Sequence, residues 1–308
     1  RTAKINAPSF TAQWLEGHSH PLPRAIVKAR KYNKMRTTFI DKMIFEHSHN
    51  GRIHGQMHPL RSDNGGTVTG RFSYSTPNLQ QVPARDPDLG PLIRGLFVPE
   101  DGCLWGVFDY NQQEPRLTVH YASLTNQVGA QDAVAQYTDQ SADFHQIVAD
   151  MANIPRKQAK DINLALSYGM GKKKLVSMLA ISETEAEDLI SKYHQRVPFI
   201  KALADSCMRN ASNRGFITTL LGRKCRFNLF EPRQARDVPL PYEDASVRWG
   251  EENIIRSYTY KALNRLIQGS AADMTKKAML DLYKAGYIPH IQVHDELDIS
   301  IENKKQAK

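Results

Sequence analysis

Helical spacing of apolar residues is the strongest pattern in this sequence. Arg24 to Phe45 places apolar side chains at helical intervals among many Lys and Arg residues, which predicts an amphipathic basic helix. The alternative for this segment is a helix whose charged face is simply solvated. The helical pattern returns between Leu117 and about Arg214, and Glu252 to Lys284 is predicted to be one long helix. Helices are therefore expected in several separate parts of the chain.

Shorter segments carry the pattern of strands and turns. Gly102 to Asn111 is an apolar run that closes on an aspartate, and it is predicted to be a buried strand. Gly215 to Arg226 is predicted to form a hairpin, and Gly286 to Ile301 a strand pair bent at a polar tip. Gly51 to Pro99 is loop-rich with short strand-like pieces, and Phe227 to Trp249 is predicted to be a Pro-rich, charged connection. This order of elements predicts the α+β class.

Composition narrows the class of protein. The 308 residues are 41% hydrophobic and 24% charged, as in a globular protein, and at ~150 residues per domain they allow about two domains. No run of ~18 apolar residues and no apolar signal segment occurs, so we expect a soluble, non-exported chain cut from something longer. The three cysteines are far apart and form no C-x-x-C, which supports neither a disulfide framework nor a cysteine zinc site.

The charge balance bears on the kind of partner. The 41 basic residues exceed the 32 acidic ones, which gives a formal net charge of +9 and a pI near 9.4. Long-range attraction then favours an anionic partner such as nucleic acid. Many basic proteins bind no nucleic acid, so a solvated surface is the alternative.

Two acidic positions at strand ends are candidates for metal chemistry. Asp109 ends an apolar strand, and Asp295-Glu296 lies in HIQVHDELDIS. The alternation along that segment predicts that Asp295 has apolar neighbours, which are Ile291, Val293, Leu297 and Ile299. A carboxylate there needs a counter-charge. Two such carboxylates make a hard oxygen site for Mg²⁺, which can hold two ions ~3.5–4 Å apart, whereas the alternative is ordinary turn chemistry.

A second candidate site follows the helix predicted after Pro155. Arg156, Lys160, Leu164 and Tyr168 are spaced four residues apart and share one slowly drifting face, ~18 Å long. Two cations near a helix N-terminus, followed by an apolar and an aromatic side chain, suit a triphosphate with its base stacked further along. The alternative is a surface helix with one apolar stripe.

A third candidate segment is TVTGRFSYSTPNLQQVP, Thr67 to Pro83. Its Arg, Asn and Gln side chains lie in an irregular stretch and could contact phosphates or minor-groove acceptors. Equally, they could cap turns.

Five segments occur in a fixed order along the chain: TGRFSYSTPNLQQVP, DYNQQEPRL, the helix that begins near Arg156, NRLIQGSAAD and QVHDEL. With these segments the chain resembles DNA polymerases of family A, the bacterial DNA polymerase I type, and is most similar to phage members. The resemblance implies a right-hand fold with an antiparallel-sheet palm, helical fingers and a partial helical thumb. The implied domains are a partial thumb at 1–49, a C-terminally truncated palm at 50–116 and 255–308, and fingers at 117–254.

The resemblance implies a template-directed DNA polymerase that adds deoxynucleotides to a primer 3′-hydroxyl by two-metal phosphoryl transfer and releases pyrophosphate. Asp109, Asp295 and the Tyr110 carbonyl would hold two Mg²⁺ ions, with Glu296 in a supporting role. Lys160 would give a proton to the departing pyrophosphate. The expected partners are primer-template DNA and dNTPs, with no membrane, and the expected state is a cytoplasmic monomer.

Substrate contacts are implied for two further groups of residues. Those implied to bind the incoming dNTP are Gln112, Glu114, His145, Arg156, Lys160, Leu164 and Tyr168. Glu114 resembles the steric gate that crowds the sugar 2′ position. Those implied to bind DNA are Arg71, Asn78, Gln80, Asn264, Gln268 and His294.

The chain departs from the family pattern at some positions. Leu164 stands where Phe or Tyr is more common, at a position tied to sugar discrimination, and Pro115 removes a backbone donor just beyond the Asp109 strand. Two alternative functions stay open: a nucleic-acid-binding fragment without catalysis, and a single-subunit RNA polymerase, which Glu114 and TGRFSYSTPNLQQ disfavour.

Overall fold

The computed structural model describes residues 10–61, 65–83, 86–138, 143, 145–146, 149–150, 153–167, 171–235 and 237–307. Only the backbone is described for Gln13, Lys157, Gln158, Asp161, Leu164, Ala165 and Ser167. The α-helices are Ala12–Glu16, Pro21–Lys34, Leu89–Arg94, Gln113–Leu124, Ala130–Thr138, Arg156–Ser167, Lys172–Leu179, Glu183–Arg196, Pro198–Arg214, Tyr242–Trp249 and Ala262–Lys284. The strands are β1 Ser48–His49, β2 Arg52–Ile53, β3 Gln56–His58, β4 Ser73–Ser75, β5 Leu104–Asp109, β6 Phe216–Thr218, β7 Lys224–Arg226, β8 Leu229–Pro232, β9 Leu240–Pro241, β10 Ile254–Arg256, β11 Pro289–Val293 and β12 Glu296–Ile301. Helices combined with small sheets confirm the α+β class.

The chain divides into two compact units. The described residues of Arg1–Gly66, Phe72–Gly106 and Ile299–Lys308 form the first unit. Those of Thr67–Arg71 and Val107–Asp298 form the second. The division into thumb, palm and fingers stays a prediction.

The basic helix predicted at Arg24 to Phe45 forms in the first unit, but its winding changes along its length. Pro21–Lys34 is α-helical, and the side chain of His20 accepts a hydrogen bond from the Leu22 N–H at its start. Met35–Glu46 is wound as a π-helix. Near this change the Thr37 hydroxyl donates to the Asn33 carbonyl at 2.8 Å, a bond of the kind that perturbs the helical ladder. The periodicity therefore predicted a helix but not its pitch.

The loop-rich interval after this helix contains the short strands that its sequence predicts. β1 pairs with β2 and β3 pairs with β4, both antiparallel. Tyr74, in the second pair, and Leu79, in the 3₁₀ turn Leu79–Gln81, are buried. This interval therefore supplies the first unit with buried apolar side chains on short elements.

The second unit is organised by one large apolar core. Its helices from Gln113 to Arg214 confirm the helical region predicted after Leu117. Ile162, Leu175 and Ile267 have no solvent exposure, and Tyr193 has only 1%. Each side chain of this size contributes about 1.5–3 kcal/mol when it is fully buried. The hairpin predicted at 215–226 is also confirmed, since β6 pairs with β7 in antiparallel register.

The connection predicted from Phe227 to Trp249 is wrong. This segment contains β8, β9 and the helix Tyr242–Trp249, and β8 lies between β10 and β9 in a three-stranded sheet. Phe230, Ala245 and Ile254 form its small core. The prolines favoured a connection in the sequence, because proline is rare inside strands. Pro232 and Pro241, however, lie at strand ends, where a missing N–H is tolerated.

The long helix begins at Ala262 rather than at Glu252. Ile254–Arg256 is instead held as a strand by its antiparallel pairing with β8. Tyr258 has a left-handed backbone with φ of 60°, which a continuous right-handed helix excludes. Neither this helix nor any other described helix combines the length and apolar character needed to cross a membrane.

The strand predicted at Gly102 to Asn111 forms as β5, but it is not buried. Leu104 and Val107 are 45% and 47% exposed. β5 is the outer strand of a sheet ordered β11-β12-β5, so only one of its edges is paired in that sheet. An apolar run therefore predicted the strand correctly and its burial incorrectly.

Candidate active site

The two predicted acidic positions meet at one end of the β11-β12-β5 sheet, within the second unit. Asp109 is the last residue of β5, and Asp295 lies in the two-residue turn between β11 and β12. The Tyr110 N–H donates to the Asp295 carbonyl at 3.5 Å. Backbone bonding therefore joins the end of one strand to the turn between the other two.

The side-chain alternation predicted to run through Asp295 is interrupted. His294 has a left-handed backbone with φ of 57°, so the side-chain alternation of β11 does not continue through the turn. Leu297 and Ile299 are buried on β12, whereas Asp295 is half-buried in the turn. The carboxylate is therefore accessible to a ligand.

The charged side chains of this region act on one another electrostatically. Loss of solvation and the negative charge of Asp295 raise the pKa of Asp109, and the positive charge of Lys160 acts in the opposite direction. These three side chains come from a strand end, a turn and a helix. The structure thus brings together the three residues that carry the predicted chemistry.

The donor set at this position fits a hard divalent cation. Asp109 and Asp295 offer carboxylate oxygens whose like charges oppose each other. Within the described part of the chain, no group of three or more His, Cys, Asp and Glu side chains could hold a metal ion. An ion bound here would therefore complete its coordination shell with backbone, water or substrate oxygens, as Mg²⁺ sites in proteins usually do.

The helix Arg156–Ser167 begins where the sequence predicts. Ala159, Ile162 and Leu166 are buried against the core, while Arg156 and Lys160 are exposed. The basic face of the prediction therefore exists on its first two turns. The side chain of Leu164 and the whole of Tyr168 lie outside the described residues.

Arg156 has an acidic partner. Its Nε donates to Asp143 Oδ2 at 2.7 Å. Burial alone would raise the pKa of Asp143, but the hydrogen bonds from Arg156 and from the Gln146 N–H lower it overall. Asp143 therefore stays ionised beside the guanidinium.

His145 belongs to a buried polar network that sequence reasoning missed. The ring is 7% exposed, and its Nδ1 lies 3.1 Å from the side-chain nitrogen of Asn163. The Tyr193 hydroxyl donates to Asn163 Oδ1 at 2.9 Å. The signal available in the sequence was an asparagine at a core position of the helix that also carries Lys160.

The residue predicted to gate the sugar is ion-paired with one predicted to bind DNA. Arg71 and Glu114 form a salt bridge, with side chains 28% and 14% exposed. Next to Glu114, Gln112 has a left-handed backbone with φ of 53° and accepts a hydrogen bond from the Tyr137 hydroxyl at 3.3 Å. The family resemblance implied a separate role for Arg71 and for Glu114, but nothing in their sequence spacing predicted that they form an ion pair.

Arg223 fixes the turn that carries Arg71. Its guanidinium donates to Asp273 Oδ1 at 3.0 Å and to the carbonyls of Thr69 and Gly269 at 2.8 and 2.9 Å. Gly70 has φ of +85°, and a Cβ there would lie 2.7 Å from the guanidinium carbon. The sequence signal for this contact was weak. It consisted of one basic residue in the predicted hairpin, Arg223, and one acidic residue at the end of the segment NRLIQGSAAD, Asp273.

The other predicted DNA-binding residues have varied surroundings. Asn264 and Gln268 are half-buried one turn apart on Ala262–Lys284, and His294 is exposed at the turn beside Asp295. Asn78, in the first unit, accepts a hydrogen bond from the Gln80 N–H at 3.0 Å, which matches the turn-capping alternative. Glu296, half-buried, is the first residue of β12.

A sequence model of DNA polymerase family A matches residues 2–308. The chain belongs to DNA polymerase family A. The DNA-directed DNA polymerase of Pseudomonas phage M6 is 38% identical to it over 97% of this chain and 49% of the relative. The thermostable DNA polymerase I of Thermus aquaticus is 33% identical over 96% of this chain and 34% of the relative. The predicted resemblance is confirmed.

A solved structure supports the family A fold. The POL domain of Pol1 from M. smegmatis, in complex with DNA primer-template and dNTP, superposes with a TM-score of 0.75 at 26% identity. The match covers 99% of this chain and 52% of that one. The family A chain spans about half the length of the phage relative it matches.

We expect Arg223→Gln to destabilise the second unit by about 3 kcal/mol, because Asp273 would stay buried without its counter-charge. Denaturant unfolding followed by circular dichroism measures the loss. The double variant Arg223→Met with Asp273→Leu should recover much of it, since both charges are then gone. The exposed pair Lys277–Asp281 offers the control, and Lys277→Ala should leave unfolding unchanged. Equal losses in Lys277→Ala and Arg223→Gln would contradict this role.

We expect Asp109→Asn to raise the melting temperature at pH 7 without divalent metal. The pKa of Asp109 is raised in the folded chain, so the free energy of unfolding falls as pH rises through that pKa. The gain should therefore shrink as pH falls below the ordinary carboxylate pKa of about 4. The exposed Asp101→Asn is the control and should give no such pH-dependent gain. A destabilised Asp109→Asn at pH 7 would oppose this account.

Proposed function

We propose that this chain is the polymerase portion of a template-directed DNA polymerase, which adds deoxynucleotides to a primer 3′-hydroxyl and releases pyrophosphate. The observation that carries the proposal is that Asp109 and Asp295 lie at one sheet end, joined by the Tyr110–Asp295 hydrogen bond, where the charges of Asp295 and Lys160 both act on Asp109. The phage relative is a DNA-directed DNA polymerase and the Thermus relative a thermostable DNA polymerase I, which supports the proposal. Two carboxylates and a lysine suit phosphoryl transfer, in which positioning and charge neutralisation supply most of the catalysis.

Asp109, Asp295 and the Tyr110 carbonyl would hold two Mg²⁺ ions, with Glu296 beside them on β12. When bound, the ions supply activation of the attacking hydroxyl and stabilisation of the leaving oxygen. The negative charge of Asp295 already contributes to the raised pKa of Asp109, and a divalent cation would relieve this repulsion.

The helix Arg156–Ser167 would bind the triphosphate of the incoming dNTP. Arg156 and Lys160 are exposed in its first two turns, where the helix dipole also favours anions. His145 would contribute a ring N–H to the same phosphates. Lys160, which also acts on Asp109, would hold the proton that passes to the departing pyrophosphate.

Residues that precede this helix would contact the sugar, and residues within it or just after it would contact the base pair. Glu114 would crowd the sugar 2′ position, with Arg71 holding its carboxylate and Gln112 beside it. Leu164 and Tyr168 would shape the base pocket. The choice of deoxynucleotides then depends on a carboxylate whose position an ion pair fixes.

DNA contacts would come from amide and basic side chains. Asn264 and Gln268, on one helix face, would accept and donate in the minor groove, where acceptors dominate. Arg71, His294, Asn78 and Gln80 would contact the primer or template strand. The net charge of +9 favours a polyanionic partner and predicts salt-sensitive primer-template binding.

We expect the chain to extend a labelled primer by one template-directed dNTP in Mg²⁺, and Asp295→Asn to remove at least 99% of that rate, since mutation of a group that stabilises transition-state charge commonly costs about 10²-fold or more. Asp101→Asn is the matched surface control and should retain full activity. Salt-sensitive binding without addition would instead indicate a nucleic-acid-binding fragment without catalysis.

We expect Glu114→Ala to raise ribonucleotide incorporation relative to deoxynucleotide incorporation by about tenfold or more, a change of ~1.4 kcal/mol in discrimination. Single-turnover addition of each nucleotide measures the ratio. Arg71→Ala should shift the ratio in the same direction, since it removes the Arg71–Glu114 ion pair. Preference for ribonucleotides in the unchanged chain would instead indicate an RNA polymerase.

A further inference from the structure

The buried network of His145, Asn163 and Tyr193 constrains where the histidine carries its proton. An amide oxygen only accepts hydrogen bonds and an amide nitrogen only donates them. Because the Tyr193 hydroxyl lies 2.9 Å from Asn163 Oδ1, the hydroxyl is the donor of that bond. The Asn163 amide nitrogen then faces His145 Nδ1 at 3.1 Å, so Nδ1 is the acceptor. A ring that accepts at Nδ1 carries its proton on Nε2.

We propose that Asn163 and Tyr193 are positioning residues, which hold His145 as the neutral Nε2–H tautomer so that Nε2 donates to a phosphate oxygen of the incoming triphosphate. The second half rests on the proposed function. The opposite tautomer would point an Nε2 lone pair at an anion. The network therefore decides whether His145 attracts or repels the triphosphate.

The surroundings keep both ends of the network in the required state. Burial, together with the charges of Arg156 and Lys160, lowers the pKa of His145, while Asp143 acts in the opposite direction. Burial also raises the pKa of Tyr193, so its phenol stays protonated and remains a donor. With a neutral ring, the orientation of the Asn163 amide selects the tautomer: Nδ1 accepts from the amide nitrogen in the orientation of this structure.

The two partners of His145 in this network are held in the core. Tyr193 is 1% exposed and Asn163 is 6% exposed, and both lie on helices packed in the core of the second unit. A flipped Asn163 amide would donate from its nitrogen to the Tyr193 oxygen, which can also accept, and would offer its oxygen to His145 Nδ1, which would then have to carry the proton. The orientation of the amide and the tautomer of His145 therefore change together.

The test is nitrogen NMR of the full 308-residue chain with ¹⁵N-labelled histidine at neutral pH, without nucleotide or metal. The His145 signals are assigned by their loss in His145→Gln. We expect Nε2 protonated and Nδ1 bare in the unchanged chain. Asn163→Asp should move protonation to Nδ1, because a carboxylate accepts where the amide donated. Tyr193→Phe should give a mixture of tautomers, since the amide is then free to turn.

Tyr121→Phe is the matched control, because that hydroxyl bonds to Ser270 rather than to the network, and its spectrum should match the unchanged chain at His145. A protonated Nδ1 in the unchanged chain would overturn the proposal. So would the same tautomer in the unchanged chain, Asn163→Asp and Tyr193→Phe. These outcomes do not depend on polymerase activity.

Nucleotide kinetics test the second half. We expect Asn163→Asp to raise KM for dATP on a primer-template by about tenfold or more, the scale of one hydrogen bond to a charged group, and Tyr193→Phe by less. The kcat should change little by comparison. If Asn163→Asp and Tyr193→Phe show the predicted tautomers but leave the KM for dATP unchanged, the proposed contact between His145 and the phosphate is wrong. Loss of all activity in the unchanged chain would instead count against the proposed function.

Discussion

The repulsion between two neighbouring carboxylates is the constraint on which this site depends. Asp109 and Asp295 lie close enough for one charge to raise the pKa of the other, and this arrangement costs folding free energy at neutral pH. The sheet backbone, through the Tyr110–Asp295 hydrogen bond, holds them there. Asp109 is exposed and Asp295 is half-buried, so solvent reduces this cost, and the large helical core of the second unit stabilises the fold that holds the two residues. A divalent cation bound here would relieve the repulsion.

Buried polar contacts position the other functional side chains. Arg223 ties the Thr69–Gly70 backbone to the helix that carries Asn264 and Gln268, and it neutralises the buried Asp273. Arg71 holds Glu114, and Asn163 holds the ring of His145. Each contact pairs a group that would be costly to bury alone. The residues proposed to contact substrate are thus held by polar partners, of which Arg223 and Asn163 have no proposed substrate contact of their own.

Local patterns predicted the parts of the fold that local energetics decide. The start of Arg156–Ser167, the hairpin of β6 and β7 and the strand pair around Asp295 all follow from periodicity and turn chemistry. Pairing between distant segments decided the rest: β10 is a strand because β8 binds it, although its sequence continues a helical pattern. The exposure of β5 depends on its place at the end of a strand order. The roles of Arg223 and Asn163 could not be predicted from the sequence, because the role of a single polar residue in an apolar segment depends on the distant residues that it contacts in the fold.

The central claim is that Asp109 and Asp295 form the metal site of this family A chain. Electron paramagnetic resonance of Mn²⁺ titrated into the chain, with primer-template and a non-hydrolysable dNTP analogue, counts the bound ions directly. The account predicts two bound ions in the unchanged chain, as in other two-metal sites, and the loss of at least one in Asp109→Asn and in Asp295→Asn. Unaltered Mn²⁺ stoichiometry and affinity in both variants would contradict it.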